Sequence, residues 1–131
     1  MNWKKYCTFW KEMKYTPTPQ PSEVLARGRY KGLDFLVINL EGRHPCGYVN
    51  VAGTSLAGKD YADIDIACHG GLTFSEEISP VTCERGWWIG WDYAHWNDYT
   101  SQYSFLRDAK KHNTQEVVEE CLHVINQVLG H

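Results

Sequence analysis

The last nineteen residues, NTQEVVEECLHVINQVLGH (113–131), constrain the fold more than any other stretch. Val117, Cys121, Val124, Ile125 and Val128 recur at intervals of three and four, which places them on one stripe of an α-helix. Asn113 with Glu116 fits a capping box at its start, and Gly130 stands where a helix ends. A helix with one apolar side must bury that side against a partner surface. The chain upstream offers extended segments for the purpose, so the fold class expected is α+β: an antiparallel sheet with a C-terminal helix packed on one face.

The extended segments read as follows. EVLARGRYKGLDFLVINL is a hairpin, two runs rich in branched and aromatic residues flanking Lys31 and Gly32, where Gly32 supplies a positive φ. CGYVNVAG is a third strand, and SLAGKDYADID is a polar loop leading into IACHGGLTF, a strand interrupted by Gly70 and Gly71. GWWIGW is a buried strand. The sheet is therefore expected between residues 23 and 92, and the helix over 114–129. Near the N-terminus, Trp3, Tyr6, Cys7 and Trp10 fall on one stripe of a short helix over 3–14, and TPTPQP then breaks regular structure. With 131 residues and no repeat or linker, the chain reads as one domain, 1–21 being a helix and proline-rich lead-in and 22–131 the α+β core.

Charge and cysteine content narrow the class of partner. A formal net charge of −3 supplies no general basic field for long nucleic acid or an anionic membrane. No apolar run reaches the roughly 18 to 20 residues that span a bilayer. The charged N-terminal stretch MNWKKYCTFWKEMKY lacks the apolar core of a signal peptide, so a cytoplasmic location is expected. Five scattered cysteines argue against a disulfide framework, and most are read as small, reduced packing residues. Cys68 beside His69 is the one pair that could form a thiolate.

Two segments hold the chemistry. In CHGGLTFSEE (68–77), Gly70 and Gly71 free the backbone to turn and to form an anion-binding concavity beside His69, with Thr73 and Ser75 adding hydroxyls. A glycine bulge with a structural histidine explains the same residues. Neither nucleotide-binding glycine fingerprint is present. In GWWIGWDYAHWNDY (86–99), six aromatic rings surround Asp92, His95 and Asp98. Turned helically, those three share a face, where with His69 they could hold a divalent metal or form an acid–base set. A buried polar network beneath a Trp-rich core is the bland alternative. Recognition of a polar ligand between aromatic walls such as Trp88 and Trp91 accounts for both the rings and the polar groups.

RHPCGYVNV, GKDYADIDIACHGGLTFSE, GWWIGWDYAHWNDY and NTQEVVEECLHVINQ together resemble a family of small, mostly uncharacterised proteins of bacteriophages and bacterial mobile elements. That family's pattern is a G-Y-V strand, an H-G-G-L-T-[FY] segment, a [WY]-[WI]-I-G-F-D-x-A-H-x-x-D segment and an [ED]-V-x-x-E-C helix. The similarity covers about residues 43–128. It draws attention to His69, Gly70, Gly71, Thr73, Asp92, His95 and Asp98, and it implies a phage context. Trp91 stands where phenylalanine is expected, and Tyr93 and Trp96 where smaller residues are usual, which would reshape a shared site.

Three functions follow from different classes. The first is a counter-defence binding module that sequesters a small nucleotide-derived ligand, without cofactor or chemistry, at His69, Gly70, Gly71, Thr73, Trp88, Trp91, Asp92, His95 and Asp98. The second is a metal-dependent hydrolase using His69, Asp92, His95 and Asp98. The third is a protein that docks a Trp-rich surface on a host defence enzyme. Self-association into a homo-oligomer stays open under all three.

Overall fold

The structure, a computed structural model, describes residues 22–94 and 112–131. The expected N-terminal helix and proline-rich lead-in lie outside the described residues, as do His95, Trp96 and Asp98. Five strands form one sheet: β1 (Glu23–Tyr30), β2 (Leu33–Leu40), β3 (His44–Asn50), β4 (Phe74–Ile78) and β5 (Arg85–Asp92). Their order is β1-β2-β3-β5-β4 and every neighbouring pair is antiparallel. Helix α1 (Thr114–Leu129) packs across β1, β2 and β3. The α+β architecture expected from the periodicities is the one observed.

Local chemistry explains the elements. Lys31 and Gly32 both take positive φ (49° and 85°), the geometry of the two-residue turn whose twist matches a hairpin. At the helix start Asn113 Oδ1 accepts from Glu116 N at 2.9 Å while Glu116 Oε1 accepts from Asn113 N at 3.5 Å, so both halves of the capping box form. Val117, Cys121, Val124, Ile125 and Val128 are buried against Phe35, Val37, Val49 and Ile89. Each aliphatic side chain so buried contributes roughly 1.5–3 kcal/mol of transfer free energy.

Period-two alternation then buries the sheet on both sides. Phe35, Val37, Val49, Ile89 and Trp91 face the helix, whereas Leu36, Ile38, Cys46, Tyr48 and Trp88 form a second cluster on the opposite face. Large rings fit because glycines stand opposite them. The Tyr48 ring lies over Gly90 and the Trp91 indole over Gly47.

One expected strand is displaced. Residues 66–72 are not strand; β4 begins at Phe74, after Gly70 and Gly71 have turned the chain through φ of 68° and 81°. Side chains of α1 supply partners to this segment in place of a neighbouring strand. The Gln127 amide donates to Ala67 O at 2.6 Å and accepts from Ala67 N at 2.7 Å, and Glu120 Oε1 accepts from His69 N at 2.9 Å. His131 Nε2 lies 2.9 Å from Asp65 O.

Candidate functional site

The two segments singled out in the sequence adjoin, because β4 pairs with β5 and sets Phe74 opposite Gly90. Thr73 N donates to Gly90 O at 2.9 Å, and Thr73 Oγ1 donates to Asp92 Oδ2 at 3.3 Å. Asp92 Oδ1 accepts from Ala94 N at 3.1 Å, closing a turn at the end of β5. His69 goes elsewhere. Its ring stacks on Tyr93 at 4.4 Å and 15°, with His112 meeting both rings at 4.8 and 4.6 Å.

Alternation along β5 explains the division. Trp91 and Tyr93 face the helix, and Trp88 and Asp92 face the other side. The candidate residues are thus split between two clefts. One, of about 220 Å³ on the helix side, is lined by His69, Tyr93, His112, Glu116 and Glu120. The other, of about 210 Å³, opens on the opposite side across the ends of four strands. Leu40, Tyr48, Phe74 and Trp91 supply its apolar lining, Cys46 contributes a buried thiol, and Thr73 and Asp92 are its polar pair. The Tyr48 and Phe74 rings meet edge to face at 5.1 Å.

Trp88 and Trp91 serve mainly as core. Trp88 is fully buried and its Nε1 donates to Glu84 O at 3.0 Å, so it presents no face to a ligand. Trp91 is 1% exposed, donates to the Tyr93 hydroxyl at 3.2 Å, and only borders the second cleft. Neither ring is part of an exposed docking patch. The glycine pair is also less open than an anion cradle requires, since Gly71 N is committed to Cys68 O at 3.0 Å. Gly71 itself adjoins open space, where an added Cβ would meet nothing.

The electrostatics separate the thiols from catalysis. Burial pushes the Cys46 thiol up to about 12, and the charge of Asp92 adds to the effect against a hydrogen bond from Tyr48. The Tyr48 phenol is likewise raised, first by burial and then by Cys46 and Asp92. Cys68 is pushed up to about 12 by burial and by the Glu120 carboxylate, so its neighbour His69 does not yield a thiolate. Cys46, Cys68 and Cys121 are free thiols, as a packing role requires, while Cys83 is disulfide-bonded. Among the described residues no three His, Cys, Asp or Glu side chains converge to hold a metal ion. His69 and Asp92 line different clefts, and His95 and Asp98 lie outside the described residues.

Leu40, Cys46, Tyr48 and Phe74 escaped the sequence reading, as did Glu116, Glu120 and His112. The first set was signalled by glycines standing opposite aromatics on paired strands, a pattern that needs the register to be seen. The second follows from α1 and its N-terminal approach covering the segment after Ile64. Among the described residues no helix is long and apolar enough to cross a membrane. No protein family, no characterised protein and no solved structure matches this chain.

Proposed function

We propose that the protein is a binding module that captures a small nucleotide-derived ligand and holds it unchanged, as a counter-defence protein of phage type would. The observation that carries this reading is the Thr73–Asp92 pair set in a cleft lined by Leu40, Tyr48, Phe74 and Trp91. A ring can lie on the apolar lining while its N–H or O–H donors reach the carboxylate. At about 210 Å³ the cleft is smaller than the roughly 300–1,000 Å³ of sites that enclose a whole drug-sized ligand, so it suits one ring-sized moiety. The carboxylate favours a base edge or a ribose over a phosphate. The resemblance to phage proteins supports a setting in which such capture would remove a host signal.

The thiols near the clefts are held protonated, which speaks against a cysteine nucleophile there. Calorimetric titration with linear and cyclic nucleotides tests the reading. Binding by the native chain that Asp92→Ala abolishes, with the melting temperature retained, is expected. Equal affinity in that variant would remove the cleft from the proposal.

A further inference from the structure

We infer that Cys83 is joined to Cys7, so that a disulfide latches the N-terminal stretch to the β4–β5 turn and a dithiol reductant releases it. The cysteine count carries the pairing. The chain has five cysteines, Cys7, Cys46, Cys68, Cys83 and Cys121. Cys46, Cys68 and Cys121 are free thiols, and Cys83 is disulfide-bonded. A disulfide needs a second sulfur, and Cys7 is the cysteine left to supply it. The latch stands apart from nucleotide capture. Cys83 precedes Arg85 at one end of β5 and Asp92 closes the other, roughly 23 Å along an eight-residue strand.

The turn that carries Cys83 is built as an anchor. It runs from Ile78 at the end of β4 to Arg85 at the start of β5. Ser79 N donates to Glu84 O at 2.9 Å, Cys83 N to Ser79 O at 3.1 Å, and Glu84 N to Ser79 Oγ at 2.8 Å. Val81 and Cys83 take φ of 65° and 55°, left-handed values that a β-branched side chain rarely adopts. Such backbone persists where its surroundings over-determine it. Glu84 pairs with Arg27 at 2.6 Å, and its carbonyl accepts from Trp88 Nε1 at 3.0 Å. Val81 packs against the cluster of Leu36, Ile38, Tyr48 and Trp88. Cys83 is therefore held at the border of the sheet's second face.

Sequence spacing supplies the other half. Trp3, Tyr6, Cys7 and Trp10 share one side of the helix expected over 3–14. A bond at Cys7 turns that side, with its three aromatic rings, toward the turn and the face it borders. Cys83 is half-buried, whereas the thiols of Cys46 and Cys121 are sealed in the core. A dithiol can therefore reach the bond. Its thiolate attacks one sulfur and breaks the S–S bond, and its second thiol displaces the mixed disulfide so formed. The dithiol gives up two electrons and becomes a disulfide, and its two protons end on Cys7 and Cys83.

The test denatures the full chain without reductant and alkylates it with iodoacetamide, alongside Cys7→Ser and Cys83→Ser. Native protein should take three labels, at Cys46, Cys68 and Cys121, and five after reduction with dithiothreitol. Unreduced tryptic digestion should yield a peptide pair joined between Cys7 and Cys83, with Cys68 on the same fragment carrying the label. Cys7→Ser should gain a label at Cys83, and Cys83→Ser one at Cys7. Labelling of Cys83 in the unreduced native chain, or its recovery bonded to another cysteine or to a second chain, overturns the pairing. Release is read by brief trypsin treatment of the folded protein at Lys4, Lys5, Lys11 and Lys14. Reduction should speed cleavage there about tenfold in the native chain and leave Cys7→Ser unchanged. Equal rates in the oxidised and reduced native chain overturn the latch while the bond stands.

Discussion

The Trp91 indole lies directly over Gly47, where an added Cβ would stand 2.7 Å from Trp91 Cε2. The two are register partners on β5 and β3, so the missing side chain on one strand makes room for the largest on the other. Gly47→Ala should force the indole off its rotamer and cost about 1–3 kcal/mol. Denaturant unfolding measures this directly. An unchanged midpoint would mean that the ring does not sit where the structure puts it.

The contact of α1 with the sheet gives a larger effect. Ile125 is fully buried among apolar neighbours, and Ile125→Asp would place an unpaired charge there. Several kcal/mol, about 3–5, should be lost. Thermal melting that matches the native chain would show that the helix presents another face.

The segment carrying His69 depends on side chains of α1 where a strand would use backbone. Gln127→Ala removes both bonds to Ala67 and should accelerate hydrogen exchange at the Ala67 amide while leaving amides of β2 and β3 protected. Uniform loss of protection would mean that Gln127 supports the whole fold, and no change would mean that the clamp does not hold the loop.

These contrasts show what the sequence made legible. The helix was readable to its cap because Asn113, Glu116 and the stripe from Val117 to Val128 are local signals, and the first hairpin because Lys31 and Gly32 mark its turn. The strand over 66–74 was misplaced because Gly70 and Gly71 end regular structure there, and the substitute partners Glu120 and Gln127 lie more than fifty residues away. Crowding of Trp88, Trp91 and Asp92 in one short stretch suggested a single site. Alternation along β5 instead sends Trp88 and Asp92 to one face and Trp91 to the other, and Thr73 hydrogen-bonds Asp92.

The buried thiols predict a dependence on pH. Cys46, Cys68 and Cys121 are each pushed up from 9.0 to about 12, mainly by burial. The unfolded chain therefore releases these protons first as pH rises. Their contribution to stability is fully present below pH 9 and is lost as pH climbs toward 12. The denaturation midpoint should fall steadily between pH 9 and 11, and a flat profile would contradict the burial of these groups.

Capture without chemistry is tested most directly by mass spectrometry of what the protein releases. Native protein and Asp92→Ala are incubated with a mixture of linear and cyclic nucleotides, separated from free ligand, and denatured by heat. The native sample should release one nucleotide at its original mass, and the Asp92→Ala sample should release none. A nucleotide of altered mass would show catalysis in place of sequestration, and an empty native protein would contradict nucleotide capture altogether.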